Sequence, residues 1–362
     1  MKPRLIVIGD IHGNFEAFKA TVEDALNNYG TNIEAFVFLG DYCCDFPDAN
    51  KVVDLIKQIE TKYTIHIIRG NRENFISEYY NRKKNNEEEI WKIESSMGAP
   101  LISCERMNME QLEYLSNIPE NKIIEIEGCE PIYLQHKMPL SSDKLIELNE
   151  IKHILTAHTH EFQNAEYDGI NLYNPGAVGL TDSGVQGASY GVMTWQNNHW
   201  NFMQKTIPYD YEKTIAGLKA IPELYSQCKN WGKALELAVL TGINVPALYM
   251  FELQRVALLY DETKDKENLS LQEVEKEIFS QGRYGNIGPN GELLKNQEIV
   301  ADENSNLSVI VRETVTQEGQ IQKKAPVLDF MYEVALNNVE NYINEIQKRG
   351  SLQGDVYAGR QK

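Results

Sequence analysis

Seven side chains that can bind metal ions are scattered through the first 160 residues of the sequence. They are Asp10, His12, Asp41, Asn71, His136, His158 and His160. Aspartate oxygens and imidazole nitrogens suit borderline divalent ions such as Mn, Fe, Zn and Ni. A bridging carboxylate, for which Asp41 is the candidate, can hold two such ions about 3.5–4 Å apart and so activate water against a phosphate ester.

Each of these ligands also has an ordinary structural explanation when it is taken singly. Asn71 alone would be a turn residue, and His136 alone would be a histidine of the core or the surface. Three further histidines are expected to be structural or exposed: His66 lies within a predicted strand, His153 starts another, and His199 follows a turn. The metal hypothesis therefore depends on the whole set, whose members follow one another at the ends of strand-like runs.

The elements that must position these ligands are strands and helices in alternation. Apolar runs at 4–9, 35–39 and 64–69 are typical of buried parallel strands. Helical spacing of apolar residues separates them, which predicts a βαβαβ unit and an α/β fold. In such sheets functional groups gather at the carboxyl ends of the strands. Later strands are predicted at 122–127, 131–136, 153–157, 163–167 and 170–173, a hairpin at 190–204, and helices at 73–80, 87–95 and 109–115.

Composition narrows the class of protein. The chain has 362 residues and a net charge of -18, which disfavours long-range attraction of DNA or RNA. Met1 leads almost directly into a strand, and no apolar run reaches the ~18 residues of a membrane helix, so neither a secretory leader nor a membrane partner is expected. Five cysteines without framework spacing indicate a reducing compartment, hence a cytoplasmic location. Cys43 and Cys44 are interpreted as small buried residues.

The sequence pattern changes from alternating strands and helices to mainly helices after residue 208, where a domain boundary is predicted. Residues 209–349 are expected to be a mainly helical accessory region, with a flexible segment near 282–306, a short β-ribbon in 307–323 and an amphipathic helix at 326–348. Residues 350–362 are expected to be a disordered tail. The pattern leaves open whether region 209–349 packs on the first domain, forms a homo-oligomer or binds a protein partner.

The motifs of residues 1–208 resemble those of the calcineurin-like metallophosphoesterase superfamily. The resemblance lies in Gly9–Asn14, Gly40-Asp41, Gly70-Asn71, His136 and Ala157–His160, and Asn174–Gly179 is similar to an element of the small bacterial phosphodiesterase branch. It implies a four-layer α/β/β/α sandwich with a C-terminal, mainly α-helical extension. It also implies that a first metal is held by Asp10, His12 and His160, a second by Asn71, His136 and His158, and that Asp41 bridges them. A metal-bridging hydroxide would then attack phosphorus in line.

One position departs from the superfamily pattern in a way that bears on chemistry. Much of the superfamily has histidine after Gly-Asn, where this chain has Arg72, and that histidine is thought to protonate the leaving group or contact the phosphate. Arginine stays protonated at any working pH and makes a poor acid, but it can grip a phosphate oxygen. Together with the metal ligands Asp41 and Asn71, Arg72 is expected to be a catalytic residue. Asn14, Arg72 and Lys137 are the expected phosphate contacts.

Three functions follow from these patterns, in decreasing order of preference. The first is a metal-dependent hydrolase, with manganese favoured, of a small phosphorylated substrate such as a nucleotide. Phosphodiesters or nucleotide phosphoanhydrides are favoured because a site without a histidine acid suits leaving groups of low pKa. The second is a catalytically weak scaffold that uses the fold and the helical region to bind a protein. The third is a Ser/Thr protein phosphatase.

Overall fold

The computed structural model of the chain describes residues 2–138, 151–263, 297–301, 307–312 and 321–348. These residues fall into two compact units. The first comprises the described residues within Met1–Glu89, Ala99–Ile221 and Glu236–Asn244, and the second comprises those within Ile90–Gly98, Pro222–Leu235 and Val245–Lys362. This division differs from the boundary predicted at residue 208, because two later segments belong to the first unit and residues 90–98 belong to the second.

A mixed five-stranded sheet contains the predicted βαβαβ unit. Its parallel part consists of β1 (Arg4–Ile8), β2 (Ala35–Phe38) and β3 (Thr64–Ile67), connected by α1 (Phe15–Tyr29) and α2 (Ala49–Glu60). The hairpin β9 (Ala188–Gln196) and β10 (His199–Ile207) extends it antiparallel to β1, in the order β10-β9-β1-β2-β3. Because every side chain of β2 is buried, the strand reads as a continuous apolar run.

A second five-stranded sheet carries the other three predicted ligands, His136, His158 and His160. Its strands are β4 (Asn121–Ile124), β5 (Ile132–Gln135), β6 (His153–Leu155), β7 (Phe162–Tyr167) and β8 (Ile170–Pro175), in the order β4-β5-β6-β8-β7. Strands β5, β6 and β8 are parallel. Both sheets contribute to one buried core, which joins Val7 and Val37 of the first sheet to Leu134 and Leu155 of the second. Helix-flanked mixed sheets are the sandwich that the resemblance implied; residues 139–150, between β5 and β6, lie outside the described residues.

Three helices lie between β3 and β4. They are α3 (Arg72–Asn85), α4 (Gly98–Glu105) and α5 (Met109–Ser116). The helix predicted at 87–95 is wrong, because α3 ends at a left-handed Asn86 and residues 87–95 contain no helix. Glu87, Glu88 and Glu89 follow that end directly, and negative charge at a helix C-terminus opposes continuation of the helix.

The chain beyond β10 is helical in its first part, as predicted. The helices are α6 (Tyr211–Lys219), α7 (Glu223–Ser226), α8 (Trp231–Thr241), α9 (Val245–Thr263) and α10 (Asp329–Lys348). In the second unit α9 packs against α10. The predicted ribbon is a three-stranded antiparallel sheet of β11 (Gln297–Ala301), β12 (Leu307–Arg312) and β13 (Ile321–Pro326). Strand β11 falls within the segment predicted to be flexible at 282–306; the rest of that segment and the tail 350–362 lie outside the described residues. Among the described helices, none is long and apolar enough to cross a membrane.

Candidate metal centre

The predicted ligands lie in the loops that follow β1, β2, β3, β5 and β6. Five of the seven have a left-handed backbone, which side chains other than glycine rarely adopt. They are Asp10 (φ 53°), His12 (φ 53°), Asp41 (φ 55°), His158 (φ 70°) and His160 (φ 61°). Strained conformations of this kind persist only where the surroundings enforce them, and they cluster at functional sites.

The first ligand group consists of Asp10, His12 and His160, all buried. The two imidazole Nε2 atoms are 3.1 Å apart. Asp10 Oδ1 lies 3.9 Å from Nε2 of His12 and 3.6 Å from Nε2 of His160. Donor atoms about 2.1 Å from one ion and 90–110° apart around it would be separated by about 3.0–3.4 Å, so the imidazole pair has the spacing of metal ligands.

The second group consists of Asp41, His136 and His158. Asp41 Oδ2 lies 3.4 Å from His136 Nε2, and Asn71 Oδ1 lies 3.1 Å from the same nitrogen. The same Asp41 Oδ2 is also 3.9 Å from His12 Nε2 of the first group. One carboxylate oxygen therefore faces both groups, which is the position of a bridging ligand.

Contacts on the far side of the rings determine which imidazole nitrogen faces the site. His136 Nδ1 lies 2.7 Å from the carbonyl of Leu39, and His160 Nδ1 lies 2.6 Å from the carbonyl of Leu180. Carbonyls only accept, so each Nδ1 carries a proton, and Nε2 is the nitrogen of each ring that can bind an ion. His12 is oriented similarly by Asp45, 2.6 Å from its Nδ1. Metal-binding histidines are characteristically held in this way.

Converging lone pairs repel unless a cation lies between them, so the donor set fits a divalent ion. The acid–base behaviour agrees with this reasoning. Burial raises the pKa of Asp10 to about 6. Burial would also raise the pKa of Asp41, but His136 and His12 outweigh it and hold that pKa well below its usual range. Burial acts to lower the pKa of His136, yet Asp41 and Asp10 raise it to about 10. Bound protons thus supply positive charge that divalent cations would supply when bound.

Glu73 fixes two ligand loops to each other. Its buried carboxylate accepts backbone N–H bonds from Gly70 at 2.7 Å, Asp41 at 2.9 Å and Tyr42 at 2.8 Å. Arg72 N–H in turn donates to Asp41 Oδ1 at 2.8 Å. The sequence signal for the role of Glu73 was its place in the Gly70–Glu73 motif, but the sequence analysis assigned Glu73 no role.

Arg72 lies at the edge of the site, with its side chain 26% exposed. Its Nη2 is 3.3 Å from Asp45, the carboxylate that also holds His12, while its Nε has no hydrogen-bond partner among the described residues. Burial would lower the pKa of Arg72, but Asp45 and Asp41 outweigh it, so the side chain stays charged. Asp45 was not singled out by sequence reasoning, because a lone aspartate in a loop carries no signal of its own.

The two other expected phosphate contacts differ from Arg72. Lys137 is exposed next to His136, and its charge helps to lower the pKa of His158, after burial and His136. Asn14 is fully buried as the N-cap of α1: its oxygen accepts from Ala17 N and Thr214 Oγ1, and its Nδ2 donates to Gly179 O and Tyr209 Oη. All four hydrogen-bonding positions of this amide are taken, so none is free for a phosphate.

The expectations for His153, His199 and the paired cysteines agree with their positions. His153 is buried between Tyr173 Oη and Glu130, whereas His199 is exposed. Cys43 and Cys44 are both buried as free thiols, and burial raises both pKa values.

Comparisons with known proteins show what the residues around this site are similar to. Residues 3–162 match the family model for calcineurin-like phosphoesterases. A hypothetical protein from Pyrococcus horikoshii OT3, PH1004, is 20% identical with a TM-score of 0.50, and the match covers 64% of this chain and 97% of that one. At this identity the likeness concerns the fold alone. A metallophosphoesterase from Sphaerobacter thermophilus is 17% identical with a TM-score of 0.48, over 67% of this chain and all of that one. A zinc-dependent endopolyphosphatase of Saccharomyces cerevisiae is 34% identical over 68 residues, which is 19% of this chain and only 20% of the yeast protein.

Proposed function

We propose that this chain, whose residues 3–162 match the family model for calcineurin-like phosphoesterases, hydrolyses phosphodiesters or nucleotide phosphoanhydrides with two divalent metal ions. The observation that carries the proposal is the position of Asp41 Oδ2, within 4 Å of an imidazole Nε2 in each of the two ligand groups. A site for one ion would need no carboxylate between two histidine groups.

In this proposal the first ion is held by Asp10, His12 and His160, and the second by Asn71, His136 and His158, with Asp41 shared. When bound, such a pair supplies a hydroxide nucleophile and neutralises charge on the phosphate oxygens. The donor set accepts Mn, Fe, Zn and Ni, and we favour manganese, with zinc as the main competitor because the yeast relative is named zinc-dependent. The cytoplasmic location inferred from the cysteines stays a prediction.

Arg72 determines which leaving groups the site accepts. Its guanidinium cannot give up a proton at neutral pH, so it does not protonate a departing alkoxide. Asp45 fixes the charge beside the ligand groups, and the partly exposed guanidinium can donate to a phosphate oxygen. Exposed Lys137 can add a second cation next to His136. Esters with weakly basic leaving groups should therefore react, and alkyl monoesters should react slowly.

The yeast relative supports the anhydride part of the proposal. Its name describes cleavage within polyphosphate, a chain of phosphoanhydrides in which the leaving group is a phosphate of low pKa. The match spans only a fifth of that protein, so it supports the class of bond cleaved and not the activity of the whole yeast protein.

The test measures metal content and turnover of the Mn-loaded protein on four substrates: bis-p-nitrophenyl phosphate, ATP, the alkyl monoester glycerol 2-phosphate and a phosphoserine peptide. We expect activity on the first two. Asp41→Asn should lower kcat/KM more than about 100-fold, beyond the usual effect of changes outside the ligand set. Arg72→His should raise monoester activity relative to diester activity. Asp24→Asn, a matched change at a surface carboxylate bonded to Lys205, should leave all rates unchanged.

The outcomes separate the three functions predicted from the sequence. A protein that holds two ions and cleaves none of the substrates would favour the scaffold. Preference for the phosphoserine peptide would favour the protein phosphatase. Unchanged activity in Asp41→Asn would refute the assignment of the site.

A further inference from the structure

A segment that is distant in sequence from the family-matched residues 3–162 lies next to the first ligand group. Residues 236–244, within the first unit, pack on the loop 180–187 that follows β8. Gly184 N–H donates to Gly242 O at 2.9 Å, and the Gln186 amide donates to Val239 O at 3.1 Å. This loop also supplies the Leu180 carbonyl that orients His160.

The fit between segment and loop is close. Gly242 has a left-handed φ of 68°, and a Cβ at this position would lie 2.2 Å from Val185 O. The next residue, Ile243, is buried. Asn244 follows, and its N–H donates to Asp182 Oδ1 at 3.0 Å. The backbone of Asn244 is therefore held in place, which fixes the position from which its side chain extends.

Nδ2 of the Asn244 side-chain amide lies 3.1 Å from Nδ1 of His160. That nitrogen already lies 2.6 Å from Leu180 O, so it bears the proton and donates to the carbonyl. An amide beside a proton-bearing nitrogen must present its oxygen. Its NH2 group would instead favour the other tautomer, in which Nε2 is protonated and cannot bind an ion. The oxygen and nitrogen of an amide exchange places on a half-turn, so the same position serves either.

We propose that Asn244 is a positioning residue that, through Oδ1 and together with Leu180 O, holds His160 in the tautomer that turns Nε2 towards the first ligand group. The inference rests on the proposed function for the presence of an ion there. It gives part of the accessory region a chemical role: residues 236–244 help to complete the metal centre from outside the family-matched residues 3–162.

The experiment is a titration of the full-length metal-free protein with Mn²⁺ alone, with free Mn²⁺ followed by electron paramagnetic resonance. Loss of a partner behind a metal-binding histidine typically lowers affinity about 10–100-fold. Asn244→Leu and Asn244→Ala should therefore weaken one of the two Mn²⁺ sites on the order of 10-fold and leave the other unchanged. Asn244→Asp, which can present only oxygens, should restore wild-type affinity.

A matched control is Asn171→Leu, which removes a half-buried amide that donates to Lys152 O and should not change Mn²⁺ affinity. Imidazole ¹⁵N shifts of the metal-free protein give a second readout: His160 should be protonated at Nδ1 in wild type and Asn244→Asp, and a larger fraction should be protonated at Nε2 in Asn244→Leu, where only Leu180 O still favours Nδ1. Wild-type affinity in Asn244→Leu and Asn244→Ala, or a weak site in Asn244→Asp, would overturn the inference while leaving the proposed function intact. A wild-type protein that binds two Mn²⁺ ions but cleaves no substrate would overturn the proposed function and leave the inference standing on affinity alone.

Discussion

Gly179 offers the sharpest test of how the ligand loops are held. A Cβ on Gly179 would lie 1.9 Å from the carbonyl oxygen of Ile11, between the ligands Asp10 and His12. Ordinary contact begins near 3.4 Å, so Gly179→Ala must separate the two backbones by about 1.5 Å. Gly179 N–H also donates to Asp10 O at 2.9 Å, so the displacement acts on the ligand loop directly. A misplacement of ~1 Å can lower a rate about 100-fold, which is the loss in kcat/KM we expect.

Two further glycines make this a graded series. Gly9→Ala would bring its Cβ to 3.0 Å from Ala157 Cβ, a smaller overlap that should lower Mn²⁺ affinity only slightly. Gly217 lies in α6, and a Cβ there meets nothing nearer than 4.0 Å, so Gly217→Ala should keep full activity and gain ~1 kcal/mol of stability. The assays are kcat/KM, Mn²⁺ titration and thermal unfolding. Equal affinity in all three variants would refute the reasoning, as would an order of effects that does not follow the distances.

Three other predictions concern stability. Glu73→Gln leaves one of three buried N–H donors facing an NH2 group, so it should lower the free energy of unfolding in urea by about 1–3 kcal/mol. An unchanged midpoint would contradict the role of Glu73 in holding the two loops together. Burial would raise the pKa of Asp24, but hydrogen bonds from Lys205 and Tyr190 outweigh burial and lower this pKa. The ionised Asp24 therefore stabilises the fold at neutral pH, and this stabilisation is lost as pH falls below about 4. Asp24→Asn should therefore cost ~1 kcal/mol at pH 7, and its difference from wild type should narrow at pH 3; a constant difference would exclude the ionised carboxylate as the cause. Two ions at 100 times their Kd should stabilise the protein by ~5 kcal/mol, so a chelator should lower Tm by on the order of 10 °C, and no shift would argue against bound ions.

The strands, and the clustering of the predicted ligands at their ends, were predictable from the sequence for a physical reason. Buried parallel strands need continuous apolar runs, so β1 and β2 stand out, and the polar residue that ends each run stands out as well. Asp10 and Asp41 could therefore be placed at one sheet edge. His136 and His158 could be placed at another edge, and the resemblance joined the two edges into one site.

The supporting contacts were not predictable, because they pair residues distant in sequence that lack a local pattern. Asp45 reaches His12 across 33 positions, and Asn244 reaches His160 across 84. The helix predicted at 87–95 failed for a related reason: its apolar residues have helical spacing, yet Trp91 is buried in an irregular segment that belongs to the second unit. Burial determined by the rest of the fold outweighed local periodicity there.

The left-handed ligand residues bear on how variants of the site should be interpreted. Each such conformation costs up to about 1–3 kcal/mol, so contacts other than the ligand side chains must hold the loops. Backbone bonds do so: Asp10 N–H donates to Gly40 O and His12 N–H to Asp41 O, at 3.1 and 2.8 Å. In Asp41→Asn these bonds remain, and Oδ1 can still accept the Arg72 N–H. The variant should therefore fold with its loops in place, so a loss of activity would report the missing carboxylate oxygen between the two ligand groups and not a collapsed site.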